Sequence, residues 1–312
     1  MALPIPAVEQ SIDWEVGEKQ IGLWSDAWQR FRRNRLAVLG LALVILLVLI
    51  AISAPLLVHF GIIRDPNKQD VAYIEVSPGQ NGFLLGTDEL GRDTLSRLIY
   101  GSRVSLSVGI LVQFVILLVG LPIGLVAGYA GGRIDNLLMR FTDIWYAFPD
   151  LLFVLVVVSV FASYTSGSVF LQWLMIFGAI GLVNWVGLAR LVRGQVLSIK
   201  EKEFIEAARS SGSAPFKLIL KHLLPNSLGP IIVTLTFGIP TAIFLEAVLS
   251  FIGVGIAPPT ATWGRMVNSG YESIYANPSS VVFPALAIGF TLLAFSFVGD
   301  GLRDALDPRM RR

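Results

Sequence analysis

An acidic residue followed by small side chains, Glu206-Ala207-Ala208 with Gly212 behind it, lies in a polar stretch between two long apolar segments. Small side chains let the backbone of another protein approach closely, and an aromatic residue such as Phe204 can anchor in a pocket. This pattern favours protein–protein docking rather than catalysis. A helical hairpin packed on its own membrane domain is the alternative that the pattern leaves open.

Residues that could carry catalysis are scarce. The chain has no cysteine, which excludes disulfides, thiolate metal sites and cysteine nucleophiles, and it has only two histidines. It also contains no Gly-x-x-x-x-Gly-Lys-Ser/Thr loop to cradle nucleotide phosphates. We therefore expect no catalytic residues, no metal site and no cofactor bound by this chain. Any work driven by ATP needs a partner.

The composition is that of a membrane protein. Hydrophobic residues make up 54% of the chain and charged residues 15%, whereas soluble domains usually carry about 25% charge. Because a transmembrane helix needs about 20 apolar residues, the long runs without charge predict an all-α membrane protein with six transmembrane helices. The predicted spans lie at 35–59, 101–129, 138–162, 170–193, 228–253 and 282–303.

The distribution of basic residues predicts the orientation of these spans. If both termini lie in the cytoplasm, most of the 24 Lys and Arg residues fall in cytoplasmic segments, including the cluster Arg30, Arg32, Arg33 and Arg35 before the first span. Cytoplasmic loops of membrane proteins carry this excess of positive charge. The polar stretch with Glu206 is therefore expected in the cytoplasm.

The chain divides into five segments on this interpretation. We predict a cytoplasmic N-terminal segment at 1–34, a first transmembrane helix at 35–60, an external loop at 61–100, a five-helix core at 101–304 that includes the polar cytoplasmic loop at 195–226, and a cytoplasmic tail at 305–312. The pattern of residues 1–30, with scattered tryptophans, fits either an amphipathic segment on the inner membrane surface or a disordered tail.

The polar loop is predicted to begin with a short helix. Phe204, Ala207, Ala208 and Ser211 follow helical spacing and form a narrow face of mostly small side chains. Gly212 supplies the left-handed residue that commonly ends a helix. A sharp turn is therefore expected directly after this helix.

A second short helix is predicted to follow that turn. Ser213 is its expected N-cap, and Pro215 is tolerated in its first turn. Pro225 lacks a backbone N–H, so we expect it to break or bend the chain before the fifth span.

Ionisable residues in the predicted spans are few and lie near their ends. Asp143 and Pro149 are candidates for bending or gating a path near the inner face, and local pairing of Asp143 with Arg140 is the alternative. Glu246 lies near the outer end of the fifth span, where it could line a gate, meet a binding protein or pair with a neighbouring subunit. Carriers driven by ions usually keep ionisable groups at mid-membrane, so this distribution weighs against ion coupling.

The motif around Glu206 resembles the EAA loop of ABC importer permeases, in which Glu-Ala-Ala and a glycine are followed by Leu224-Pro225. The segment 222–226, His-Leu-Leu-Pro-Asn, is similar to the version in peptide permeases, where His replaces the usual branched apolar residue. Further segments resemble the "C" permease of oligopeptide and dipeptide importers, at 85–103, 147–149, 190–195, 246–251 and 299–308.

The resemblance implies a type I (MetI-like) importer permease with a cytoplasmic coupling helix, in the inner membrane of a bacterial or archaeal cell. It implies a paralogous permease, two ATP-binding subunits that hold ATP and Mg²⁺, and an extracytoplasmic substrate-binding protein as partners, and no nucleic acid. The residues that it assigns to the interface with the ATP-binding subunits are Phe204, Glu206, Ala207, Ala208, Gly212, Leu224 and Pro225.

The substrate implied by the resemblance is a dipeptide or oligopeptide. Nickel, glutathione or another small solute are alternatives within the same family. An ion-coupled secondary carrier or a channel is the alternative from a different class, in which the loop at 195–226 is only structural.

Overall fold

The computed structural model describes residues 23–165 and 167–307, which are mostly helical and contain no β-strand. The helices are α1 (Leu23–Arg33), α2 (Arg35–His59), α3 (Thr94–Ala130), α4 (Gly132–Tyr146), α5 (Asp150–Thr165), α6 (Val169–Lys200), α7 (Glu203–Ser210), α8 (Pro215–Leu218), α9 (Leu224–Phe251), α10 (Trp263–Glu272) and α11 (Ser279–Leu306). A short 3₁₀ turn covers Val71–Tyr73, and a π-helical turn at Ile219–Leu223 joins α8 to α9.

Within the described residues, five helical segments are long and apolar enough to cross a membrane: α2, α3, α6, the continuous segment Pro215–Phe251 and α11. A sixth crossing is present if α4 and α5 are counted together, although they are bent by 78° relative to each other. The order of the predicted spans is therefore confirmed, but the prediction of one continuous helix at 138–162 is wrong.

The break between α4 and α5 has a local cause. Proline lacks a backbone N–H and disfavours the helical conformation in the residue before it, so the helix ends at Tyr146 and resumes only after Pro149. The 16 residues of α5 rise about 24 Å at 1.5 Å per residue. This is shorter than the roughly 30 Å of a hydrocarbon core, so α5 alone does not span a bilayer of ordinary thickness.

The second span starts earlier than predicted. Asp93 caps α3 by accepting a hydrogen bond from the Ser96 backbone N–H at 2.9 Å. The predicted loop at 61–100 therefore ends at Asp93, and the first two turns of α3 lie within the predicted loop segment.

Helices α3 and α6 pack closely along a stripe of glycines. Gly120, Gly124 and Gly128 recur every fourth residue on the side of α3 that faces α6. A Cβ atom at Gly120 would lie 2.7 Å from the Trp185 carbonyl oxygen, and one at Gly124 would lie 2.5 Å from the Ala189 carbonyl oxygen. Small residues at this spacing allow close approach of transmembrane helices, so the glycines fix the core of the bundle.

The N-terminal helix α1 is amphipathic. Ala27 and Phe31 are buried against α2 and α11, whereas Trp24 and Trp28 are exposed. Asn34 then caps α2, since its side-chain oxygen accepts hydrogen bonds from two N–H groups of the first turn. For residues 23–33 the structure thus favours the amphipathic segment over the disordered tail; residues 1–22 lie outside the described part of the chain.

The loop between α2 and α3 is held by buried charges. The Arg92 Nε donates to the Asp88 carboxylate at 2.7 Å, and Arg97 lies 3.3 Å from the same carboxylate. Arg97 also donates to the Pro66 carbonyl oxygen at 3.1 Å. Burial, and after it the positive charge of Arg92, lowers the pKa of Arg265 at the start of α10. The bonds of Arg97 tie the loop to α3, and the charge of Arg92 lies close to Arg265 of α10.

Candidate functional site

The hairpin formed by α7 and α8 contains the motif with Glu206, and a Schellman motif closes its first helix. Gly212 has a φ of +77°, its N–H donates to the Arg209 carbonyl at 3.0 Å, and the Ser213 N–H donates to the Ala208 carbonyl at 3.2 Å. The predicted left-handed stop at Gly212 is therefore confirmed. Ser213 does not cap the next helix; Ala214 occupies the N-cap position of α8 without a side-chain hydrogen bond.

A single large apolar residue fixes α7 to the bundle. Ile205 is 1% exposed and belongs to the same buried cluster as Val196 and Leu223. This role was not predicted, because the helical spacing of α7 pointed to the neighbouring face. The signal was available, since Ile205 and Phe204 are the only large apolar residues in α7.

The predicted docking face is exposed at Phe204 and Ala207, and two apolar side chains of the segment that follows are exposed as well. Phe204 is 46% exposed, Phe216 is 72% exposed and Leu220 is 46% exposed, and Ala207 lies exposed on the same hairpin. We call these four residues the docking surface. Exposed aromatic side chains beside small residues are suited to anchor a partner protein.

The remaining predicted interface residues lie around this surface. In the hairpin, Glu206 and Gly212 are exposed and Ala208 is partly buried. At the start of α9, Leu224 is partly buried and Pro225 is exposed. The Phe204 ring lies 6.5 Å from the ring of His222. Helix α7 of the hairpin thus lies close to the π-helical turn that precedes α9.

Of the break or bend predicted at Pro225, the break is wrong. The helix is continuous over Pro215–Phe251, with a π-helical turn at Ile219–Leu223 immediately before the proline. A proline ring clashes with the carbonyl four residues earlier in a regular helix, and the wider π turn relieves that clash. The Asn226 side chain also donates to the His222 carbonyl, one turn earlier, at 2.6 Å.

Asp143 and Pro149, the residues predicted near a gate, lie on and after α4. Asp143 accepts a hydrogen bond from Arg190 of α6 at 2.6 Å, and the Arg190 guanidinium lies over the Tyr146 ring at 4.7 Å. The local partner considered for Asp143, Arg140, is therefore not the one observed. Pro149 is exposed in the bend between α4 and α5.

Glu246 is enclosed by its own chain. Its side chain is 1% exposed and accepts a hydrogen bond from the Ser250 hydroxyl at 2.7 Å. Its second carboxylate oxygen is buried and has no partner among the described residues. The structure thus corrects the expectation that Glu246 lines a gate or meets another subunit, because the loop after α9 and the start of α10 cover it.

A cavity that the sequence analysis did not anticipate lies between α3, α6 and α9. It has a volume of about 250 Å³ and is lined by the neutral polar residues Gln113, Asn184, Thr234 and Thr241 among apolar neighbours. The sequence alone does not indicate this cavity, because it does not show that single neutral polar residues in three separate spans face the same space. Asp143, Pro149 and Glu246 are not among its lining residues.

The fold defines an α-helical membrane protein, and comparison with known proteins specifies the family. Residues 120–312 match the family described as "Binding-protein-dependent transport system inner membrane component". Residues 22–78 match the "N-terminal TM domain of oligopeptide transport permease C". The chain belongs to the binding-protein-dependent transport system inner membrane components, which are transmembrane permease subunits of ABC transporters and are not themselves catalytic.

Relatives at nearly full length carry peptide-transport names. The chain is 38% identical to the oligopeptide transport system permease protein OppC of Bacillus subtilis, with coverage of 98% of this chain and 97% of that protein. It is 41% identical to the dipeptide transport system permease protein DppC of the same organism, with coverage of 92% and 86%.

A solved structure of an inward-facing MetNI methionine ABC transporter contains a similar chain. The TM-score is 0.53 at 21% identity, and the match covers 68% of this chain and 97% of that one. At this identity the likeness concerns the fold, and it confirms the predicted MetI-like architecture.

Proposed function

We propose that the chain is a permease subunit of an ATP-driven importer of dipeptides and oligopeptides, in which it forms half of the translocation path together with a paralogous permease. The peptide substrate is supported by the names of the full-length relatives. The family supports an inner-membrane location and the need for a binding protein and an ATPase.

The docking surface is the observation that carries the proposed coupling. Phe204 and Phe216 are exposed at one end of the bundle, on a hairpin that Ile205 fixes to the core. A partner that covers these rings gains apolar burial at about 25 cal/mol per Å². In our proposal this partner is an ATP-binding subunit, and that subunit rather than this chain binds ATP and Mg²⁺. The docking surface then lies in the cytoplasm, on the same side as both termini.

The short connections of the hairpin explain how a partner's movement would reach the spans. Helix α7 follows α6 after two residues, and α8 continues without a break into the membrane helix α9. A displacement of the hairpin therefore acts on two helices that both line the central cavity.

Reconstitution of the whole transporter tests this proposal. The complex, with its second permease, its ATP-binding subunits and its binding protein, is placed in liposomes and supplied with ATP. We expect accumulation of a radiolabelled tripeptide and stimulation of ATP hydrolysis by the peptide-loaded binding protein. Uptake of nickel or glutathione in place of peptides would contradict the substrate, and uptake driven by an ion gradient without ATP would contradict the class.

Two glycine variants with the same backbone conformation test the docking surface. Gly212 and Gly61 both have positive φ and open space where a side chain would be added, but Gly61 follows α2, away from the hairpin. We expect Gly212→Arg to uncouple ATP hydrolysis from uptake, whereas the matched control Gly61→Arg carries the same backbone strain and retains coupling. Equal uptake by the two variants would contradict the coupling role of the hairpin.

A further inference from the structure

The cavity lies halfway along each of the three helices that enclose it. Gln113 is near the centre of α3, Asn184 is near the centre of α6, and Thr234 and Thr241 flank the centre of α9. If these helices cross the bilayer, the cavity lies at the depth where polar side chains are least favourable and most often functional.

The Gln113 side chain is held without a partner at this depth. It is 8% exposed, and no described residue forms a hydrogen bond with its amide, whose atoms nevertheless remain open to the cavity. An amide offers two donors and one acceptor oxygen. Leaving such a group unpaired in an apolar environment is unfavourable, so a ligand that forms hydrogen bonds with it gains affinity.

The opposite wall makes room for this amide. Gly238 of α9 faces Gln113, and a Cβ atom there would lie only 2.3 Å from the Gln113 Oε1. Any other residue at 238 would therefore displace the amide from its position. Gly238 thus leaves open the space that the Gln113 amide occupies.

The other polar groups of the cavity are also neutral and only partly satisfied. The Asn184 Nδ2 donates to the Ile180 carbonyl at 2.9 Å, and its oxygen receives no hydrogen bond from a described residue. The Thr234 hydroxyl has no bonded partner among the described residues either. The lining contains no charged side chain.

We propose that Gln113, Asn184 and Thr234 form a transit site that binds the main chain of a peptide as it crosses the membrane. The assignment rests on the proposed peptide-transport function and adds the groups that recognise the substrate. Neutral amides and hydroxyls match the N–H and C=O groups of a peptide backbone. Because no charge lines the site, it discriminates little among peptide side chains.

The size of the cavity limits what it holds. A volume of about 250 Å³ is slightly below the roughly 300–1,000 Å³ of pockets that enclose a drug-sized ligand. This half of the path therefore contacts one short stretch of a peptide at a time rather than a whole oligopeptide. Such brief, neutral contacts favour passage over retention.

Two threonines on α9 provide a matched comparison. Thr234 lines the cavity, whereas Thr236 does not and donates its hydroxyl to the Ile232 carbonyl at 2.8 Å. In the reconstituted transporter we expect Gln113→Leu and Thr234→Val to lower the number of peptides transported per ATP hydrolysed by about three- to tenfold, the equivalent of one or two lost hydrogen bonds. Thr236→Val is expected to match the wild type.

Peptides with methylated backbone nitrogens test the contact directly. At concentrations that saturate the binding protein, N-methylation is expected to slow wild-type uptake relative to the unmodified peptide. In Gln113→Leu this difference is expected to shrink, because the amide that reads the backbone is gone, while Thr236→Val retains the full difference.

Three possible results distinguish a failure of the proposed function from a failure of the transit site. If the wild type transports no peptide, the proposed function fails and the transit site with it. If the wild type transports peptide but Gln113→Leu retains normal uptake and normal sensitivity to N-methylation, only the transit site is overturned. If Gln113→Leu loses the second permease during purification, the cavity is a contact between subunits and the transit site is likewise overturned.

Discussion

Asp135 of α4 and Arg193 of α6 form a bidentate ion pair, with the Arg193 Nε 2.5 Å and the Nη2 2.7 Å from the two carboxylate oxygens. The pair joins α4, the helix before the bend, to α6, the helix that leads into the hairpin. A second pair, Asp143 with Arg190, joins the same two helices at 2.6 Å. The two pairs differ in exposure and in the number of hydrogen bonds, since Arg190 makes a single hydrogen bond to Asp143.

Loss of the buried pair is expected to matter more than loss of the exposed one. The Asp135 side chain is 10% exposed and that of Asp143 is 63% exposed. We expect Asp135→Asn to destabilise the protein by about 1–3 kcal/mol, because Arg193 loses its partner in a partly desolvated place. Asp143→Asn is expected to cost less than about 1 kcal/mol. Thermal denaturation of the purified complexes checks the order, and equal melting temperatures would contradict it.

The glycine stripe of α3 gives a second prediction. A Cβ atom at Gly124 would lie 2.5 Å from the Ala189 carbonyl oxygen, which belongs to the α6 backbone and cannot move alone. We therefore expect Gly124→Ala to push α3 and α6 apart and to destabilise the protein by about 1–3 kcal/mol. The control is Gly178→Ala in α6, where a Cβ meets nothing within 4 Å and helix propensity improves. The measurement is the melting temperature in detergent, and a melting temperature of Gly124→Ala at or above that of Gly178→Ala would refute the packing argument.

Much of the fold follows from features that a sequence displays locally. Charge-free runs predict α2, α6 and α11 because each apolar run is long enough to cross a bilayer. The turn at Gly212 was predictable because glycine adopts positive φ without strain. The break before α5 was predictable in principle from Pro149, but a single proline inside a span is often tolerated.

The missed features depend on contacts between distant segments. Whether Ile205 or Phe204 faces the bundle depends on how α7 leaves α6, which the spacing within α7 does not determine. The enclosure of Glu246 arises from a loop and helix that follow it in the chain. The cavity requires α3, α6 and α9 to converge, so Gln113 shows no local sign of its position.

Two neighbouring residues of α7 are expected to have separable roles. Ile205 is 1% exposed, so Ile205→Ala should destabilise the protein by about 2–5 kcal/mol through lost burial and a cavity. Phe204 is 46% exposed, so Phe204→Ala should leave the melting temperature nearly unchanged. It should instead reduce coupled uptake by about tenfold or more, as truncation of a hot-spot residue costs about 2 kcal/mol or more.

Measurement of both properties on both variants checks this separation. Melting temperature and peptide uptake per ATP hydrolysed are recorded for the same reconstituted preparations. If Phe204→Ala lowered the melting temperature as much as Ile205→Ala while uptake per ATP stayed normal, Phe204 would be a packing residue and the docking surface would lose its main anchor.

Glu246 is expected to act through its hydrogen bond rather than through its charge. It accepts from Ser250, no described cation pairs with it, and its second oxygen is buried without a partner. Because an unpaired buried charge is costly, an amide of the same shape should serve nearly as well.

We expect Glu246→Gln to remain within about 1 kcal/mol of the wild type, since the bond to Ser250 is kept. Glu246→Ala should cost about 1–3 kcal/mol, because it leaves the buried Ser250 hydroxyl without this partner. The comparison is made by thermal denaturation and by uptake, and a loss of uptake in Glu246→Gln at unchanged stability would show that the charge itself is required.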